Sequence, residues 1–306
     1  MRSLDKLRSE TPLSPLTHIG PGLLNLTPHQ RDRPTQTMSI LNVTPDSFSD
    51  GGKNYNLNKN ALRQTVLDHV ANGATVIDVG GQSTRPGAIE VDSDEELSRV
   101  IPAIHLIRSL DLPNVSISVD TYRADVAQAA VKTGAHIIND VSAGLMDDNM
   151  LHTAAKLGCA MCLMHMRGTP ETMNAMTDYT DGVVETVGRE LLERVRAAED
   201  AGIRRWRIIL DPGIGFAKNQ AQNLELLRRF EELRRYPGLE NYPWLVGTSR
   251  KAFIGRITGV REARERVWGT AASVAAAVQG GSDIVRVHDV KEMAQVVKMA
   301  DAIWRV

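Results

Sequence analysis

Cysteine is scarce in this chain, with two in 306 residues. No disulfide framework is available, and a reducing compartment is expected. No charge of one sign dominates either. Lys and Arg total 36 against 37 Asp and Glu, for a net charge of −1. Nothing therefore draws the whole molecule toward nucleic acid or an anionic membrane, although an anionic small ligand needs only local charge. No apolar run approaches the roughly 18 residues of a spanning helix, and no secretory signal core is present, so no membrane partner is expected. Arg2, Arg8, Arg31 and Arg33 lie near the start, but Asp5, Glu10 and Asp32 lie among them and argue against a mitochondrial presequence. With no clear targeting signal, the location is read as cytoplasmic or mitochondrial.

The two cysteines form a C-x-x-C, Cys159 and Cys162, within the strand-like run GCAMCLMHM. Residues three apart on a strand face opposite ways, and no second pair completes a zinc site. Both are read as core packing. The basic runs Arg204-Arg205-Trp206-Arg207, Arg228-Arg229 and Arg234-Arg235 are read as solvated helix faces. Gly213-x-Gly215 lacks the third glycine of a dinucleotide loop.

What is present is ordinary in bulk, 42% hydrophobic and 24% charged, and distinctive in pattern. The stretch Thr75–Ala88 (TVIDVGGQSTRPGA) sets that pattern. A short β-branched apolar run suits a strand buried on both faces. It breaks into two glycines and a polar loop with nothing apolar to bury. Apolar runs ending in polar residues recur at Thr37–Leu41, Ser116–Val119, His136–Ile138, Cys159–Met164, Arg207–Leu210, Trp244–Val246 and Asp283–Val285. Helical stretches alternate with them: Asn58–Asn72, Ser93–Ser109, Arg123–Lys132, Asp147–Leu157, Asp178–Ala201, Gln220–Arg235, Glu262–Gln279 and Val290–Ile303. The Ser93-x-x-Glu96 pattern is a capping signal for the second of these.

Strict alternation implies parallel strands. Eight units in about 270 residues suit a single closed (β/α)8 TIM barrel, whose active site lies at the C-terminal strand ends. An open doubly wound sheet would leave two or three units redundant. Met1–Gln36, rich in Pro, Leu, Thr and Ser without a sustained period, reads as an N-terminal extension or linker. Residues 37–306 read as one barrel domain.

After the strands come Asn42; Asp78 with Thr84 and Arg85; Asp120; Asn139; His165; Asp211; Ser249, Arg250 and Lys251; Arg286 and His288. Any one of the acids or amides is most simply a helix cap. Eight polar strand ends in eight units are not explained that way. Asp120, Asn139 and Asp211 suit the N–H edge of a polar heterocycle. Arg85, Arg286, His288 and Asn42 suit phosphate oxygens, and Asn42 also suits a hard cation such as Mg²⁺.

NVTPDSFSDGG at Asn42–Gly52, DVGGQSTRPGA at Asp78–Ala88, SVDT at Ser118–Thr121 and NDVSAG at Asn139–Gly144 resemble the dihydropteroate synthase family. So do LMHMRGTP at Leu163–Pro170, DPGIGF at Asp211–Phe216, TSRKAFIG at Thr248–Gly255 and RVHDV at Arg286–Val290. The resemblance runs in order from Thr37 to Val306. It implies an enzyme joining 6-hydroxymethyl-7,8-dihydropterin pyrophosphate to p-aminobenzoate, with Mg²⁺, by an SN1-like mechanism. It assigns Asp120, Asn139, Asp211, Lys251 and Arg286 to the pterin, with Asp120, Lys251 and Arg286 also catalytic. Asn42, Arg85, Arg286 and His288 go to pyrophosphate, and Asn42 also to the metal. Asp46, Phe48, Thr84, Arg85 and Pro86 go to two loops forming the p-aminobenzoate pocket. It implies a homodimer and, since the extension resembles fungal members, association with upstream folate-pathway domains. Two other readings are a pterin-binding methyl-transfer barrel, which would not need the STRPG loop, and a non-catalytic barrel, which should have lost its charged site residues. The chain departs from bacterial members at Gln82 (usually Glu), Ala252 (often Ser) and Ala217 (frequently Gly).

Overall fold

The computed structural model describes residues 33–44, 55–82 and 91–305. Its strands are β1 (Gln36–Asn42), β2 (Val76–Gly80), β3 (Ser116–Asp120), β4 (Ile137–Asp140), β5 (Ala160–Met164), β6 (Ile208–Asp211), β7 (Leu245–Val246) and β8 (Ile284–Val287). Its helices are α1 (Tyr55–Ala71), α2 (Ser93–Ser109), α3 (Ala124–Thr133), α4 (Met150–Leu157), α5 (Val183–Asp200), α6 (Gln220–Arg228), α7 (Phe230–Arg234), α8 (Ala252–Thr258), α9 (Val267–Gln279) and α10 (Val290–Trp304). The strands form one parallel sheet in the order β6-β5-β4-β3-β2-β1-β8-β7. Leu210 and Trp244 bridge its two ends, and the Leu210 N–H donates to the Pro243 carbonyl at 2.9 Å. The sheet thus closes on itself as the expected (β/α)8 barrel.

Closure explains why the strands read as continuous apolar runs. Each has one face toward the helices and one toward the bore, and nearly all of their residues are buried. Ile77, Val79, Ile117, Val119, Ile138, Met161, Leu163 and Leu210 belong to the core between sheet and helices. Their neighbours Met38, Val76, Ile137, Ala160, Cys162, Ile209, Leu245 and Ile284 form a separate cluster inside the bore. Cys159 packs in the first cluster and Cys162 in the second, so the C-x-x-C is split between faces as its spacing requires.

Several local boundaries differ from expectation. The N-cap of α2 is Asp92, whose carboxylate accepts from the Glu95 N–H at 2.8 Å. Glu96 is therefore free to turn inward, where it is buried and pairs with Arg123. Helix α5 begins at Val183 rather than Asp178. The stretch expected to be one helix over Gln220–Arg235 breaks at Arg229, which leaves helical dihedrals (φ −107°, ψ 23°). The break lets Phe230 meet the Trp244 ring edge to face, with centroids 5.5 Å apart. The short helix α8 has too few residues to show a periodic apolar stripe in the sequence.

Candidate active site

The C-terminal strand ends form the barrel mouth, and register decides which side chains share a level there. Asn42 pairs with Gly80, Gly80 with Asp120, and Asp120 with Asn139. Gly80 has no side chain, so the space between its neighbours stays open. A Cβ built on it would lie 3.4 Å from Asn42 Oδ1 and 3.7 Å from Asp120 Oδ2. Two residues earlier on β2, Asp78 is in register with Ser118 and is completely buried.

Arg286 on β8 organises these acids. Its Nε donates to Asp78 Oδ2 at 2.6 Å and its Nη2 to Asp120 Oδ2 at 2.5 Å. Asn139 Nδ2 donates to the same Asp78 oxygen at 3.0 Å. One guanidinium thus serves two carboxylates far apart in sequence, and its planar fork suits that geometry. Asp78 Oδ1 and Ser118 Oγ, both buried, have no hydrogen-bond partner among the described residues. Burial pushes the Asp120 carboxyl up to about 7 against the pull of Arg286, and Asp78 adds to the rise. Burial lowers Arg286, but Asp78 and then Asp120 outweigh it and hold the guanidinium above its ordinary value.

Asp211 and Lys251 form the second half of the mouth. Asp211 Oδ1 accepts from the Gly213 N–H at 2.7 Å, which fixes the carboxylate against its own turn. Lys251 directly precedes α8, donates from Nζ to the Ile214 carbonyl and lies 4.7 Å from the Phe216 ring centroid. Gly215 (φ 84°) is required beneath it, because a Cβ there would meet Lys251 Cδ at 2.8 Å. Burial lowers the Lys251 ammonium to about 8, with Asp211 opposing, and burial raises Asp211 with Lys251 opposing. His288 is oriented by Ser249, whose Oγ accepts its backbone N–H at 3.1 Å and lies 3.0 Å from its Nδ1. Arg250 (φ 61°) is clamped by Asp289 through Nε and Nη2.

Seven of the expected site residues therefore lie around one mouth: Asn42, Asp120, Asn139, Asp211, Lys251, Arg286 and His288. Asp46, Phe48, Thr84, Arg85 and Pro86 lie outside the described residues. Not every polar strand end faces the mouth for chemistry. Asp140 accepts from the Ser142 N–H and hydroxyl and the Gly144 N–H, so it builds a turn. Asp78 stands among the polar strand ends in the sequence, but neither its residue type nor the family resemblance gives it a role there. Its only signal is an acid two residues before the glycines, in an otherwise apolar strand.

Of the three departures, Gln82 has a local reason, Ala217 sits where glycine would fit better, and nothing in the structure explains Ala252. Gln82 donates to the Tyr122 hydroxyl at 3.0 Å and accepts from Arg123 Nη1 at 2.6 Å. Arg123 is already paired with the buried Glu96, so a glutamate at 82 would crowd a second carboxylate onto one guanidinium. Ala217 has φ 48°, a left-handed conformation that glycine adopts at no steric cost.

The acids, amide and cations of the mouth can bind a flat, N–H-rich heterocycle beside a polyanion. Among the described residues no group of three His, Cys, Asp or Glu side chains could hold a metal by itself. A Mg²⁺ held by one or two protein oxygens plus substrate phosphates needs no such group, and Asn42 Oδ1 beside Asp120 suits that mode.

A family model described as pterin binding enzyme matches residues 38–288. A dihydropteroate synthase of Synechocystis is 49% identical over 89% of this chain and 91% of that protein. A folic acid synthesis protein of Schizosaccharomyces pombe is 52% identical over 87% of this chain but only 36% of its own length. The chain thus spans about a third of the fungal relatives it matches. Among solved structures, the dihydropteroate synthase of Clostridium difficile with pteroic acid superposes with TM-score 0.82. It is 42% identical, covering 90% of this chain and 98% of that one.

Proposed function

This chain belongs to the dihydropteroate synthases of the pterin-binding enzyme family, and on that premise we propose how its mouth performs their reaction. The substrates are 6-hydroxymethyl-7,8-dihydropterin pyrophosphate and p-aminobenzoate, and the products are 7,8-dihydropteroate and pyrophosphate. Asp211 and Asn139 bind the aminopyrimidinone edge, where acceptors meet the ring N–H groups. Arg286 covers the ring and, with His288 and Asn42, binds the departing pyrophosphate.

The methylene–oxygen bond breaks first, and pyrophosphate leaves with the electron pair. The resulting cation is delocalised into the pterin, and the Asp120 carboxylate beside it stabilises that charge. The arylamine nitrogen then bonds to the methylene and loses its extra proton. Lys251 supplies positive charge near the ring carbonyl. Thr84, Arg85, Pro86, Asp46 and Phe48 are assigned to the p-aminobenzoate pocket. Mg²⁺, held by Asn42 and the substrate phosphates, would neutralise charge on the leaving group. The observation that carries this reading is Arg286 shared between Asp78 and Asp120 at the base of a mouth that Asp211 and Lys251 complete.

The test is pyrophosphate release by the purified chain with dihydropterin pyrophosphate and Mg²⁺, with and without p-aminobenzoate. Release that depends on p-aminobenzoate, with dihydropteroate formed, is the expected result. Tight pterin binding without turnover would favour a methyl-transfer or non-catalytic barrel.

We also propose a homodimer and, given the long fungal relatives, association with other folate-synthesis domains. A homodimer would give partners to Trp268, 84% exposed on α9, and to the exposed Ile257 on α8. A monomer mass by light scattering would sink the dimer.

A further inference from the structure

Behind the Asp211 turn lies a charged group that the proposed reaction leaves unused. Lys218 is buried, 7% exposed, and its Nζ has three acceptors. These are His165 Nδ1 at 2.9 Å, the Gly213 carbonyl at 3.1 Å and the Phe216 carbonyl at 3.0 Å. An ammonium has three N–H donors, so this set uses all of them. His165 Nε2 lies 2.8 Å from Glu190 Oε2, and Arg167 closes the chain on Glu190 through Nε at 3.0 Å and Nη2 at 2.5 Å. With Glu190 accepting at Nε2, His165 is the tautomer that leaves Nδ1 free to accept from Lys218.

The turn itself is pressed against β5. Gly213 has φ 66°, and a Cβ there would collide with the His165 carbonyl. Its N–H fixes the Asp211 carboxylate, and its carbonyl is held by Lys218. The next carbonyl, Ile214, accepts from Lys251. One six-residue stretch thus receives hydrogen bonds from two lysines, Lys218 at the Gly213 and Phe216 carbonyls and Lys251 at the Ile214 carbonyl, and it sets both Asp211 and Lys251.

We infer that Lys218 is a positioning residue for the pterin, holding the Gly213–Phe216 turn so that the Asp211 carboxylate and Lys251 ammonium face the ring. The inference rests on the proposed synthase reaction, in which those two groups meet the pterin while p-aminobenzoate is bound by other loops. Steady-state KM values for both substrates, with thermal melting, test it in wild type, Lys218→Met and Lys218→Gln. Met keeps the volume and removes every donor, whereas Gln keeps two.

Lys218→Met is expected to raise KM for the pterin substrate about tenfold, the loss of a charge-assisted hydrogen-bond set, with KM for p-aminobenzoate within about twofold of wild type. Lys218→Gln should fall between the two, and it carries the same comparison if the Met variant does not fold. A lowered melting temperature with both KM values unchanged, or both raised alike, would overturn the inference. A wild-type chain that forms no dihydropteroate would instead overturn the synthase reading, and this inference with it.

Discussion

The two levels of the barrel bore differ in character although the same strands build both. At the lower level Val76, Ile137, Ile209 and Ile284 fill the interior with hydrocarbon. Two residues further along the same strands stand Asp78, Asn139, Asp211 and Arg286. Side chains two apart on a strand point the same way, and two residues advance it by about 7 Å. Within that distance the bore passes from a packed core to a set of paired charges. The lower level stabilises the barrel by removing apolar surface from water, about 1.5–3 kcal/mol for each fully buried Val or Ile. The upper level contributes little net stability, because buried charges pay for their attraction with lost hydration. It is retained for chemistry, and the contrast can be broken from either side.

The largest effect is expected at Arg286. Arg286→Met leaves Asp78 and Asp120 facing each other without a cation. Activity should fall by at least about 10³-fold, and stability by about 3–5 kcal/mol. Turnover assays and denaturant melts check both numbers. If stability were unchanged, Arg286 would not be the cation that holds the two buried carboxylates together.

Asp120→Ala should lower kcat by about 10²-fold or more while the pterin dissociation constant changes by less than about tenfold. Single-turnover kinetics with direct binding separates these quantities. Comparable losses in both would mean that Asp120 binds the ring rather than stabilising its cation.

The pH dependence should be milder. Asp120 must be ionised to face a cation, so kcat/KM should fall as pH drops below about 7, up to tenfold per unit. Lys251 must be protonated, so kcat/KM should fall again above about 8. A bell between those values is expected, and Asp120→Asn should remove its acid limb.

The smallest effect belongs to the lower level. Ile137→Val should cost about 0.5–1.5 kcal/mol of stability and leave kcat within about twofold. A large loss of kcat would show that the two levels are not separable.

Much of this arrangement was legible beforehand. The eight alternating units, the split of Cys159 from Cys162 and the polar strand ends all follow from local periodicity. Asp78 was harder, because an acid flanked by Ile77 and Val79 looks like part of a strand and its partner lies 208 residues away. Lys218 was invisible for a different reason: its acceptors are two nearby backbone carbonyls, which carry no residue signature, and an imidazole on the preceding strand end. The break at Arg229 turns on how Phe230 meets Trp244, which no helical period encodes.

By itself the sequence determined the alternating strand–helix order, the two-sided burial of each strand and the residues available at the mouth. These depend on side-chain period and turn chemistry within a few residues. Tertiary structure alone decided that Arg286 is shared by Asp78 and Asp120, and that Lys218 and Lys251 both hold the carbonyls of one turn. Such partnerships depend on the register between strands and on closure of the sheet, and they bring together charges that no local pattern relates.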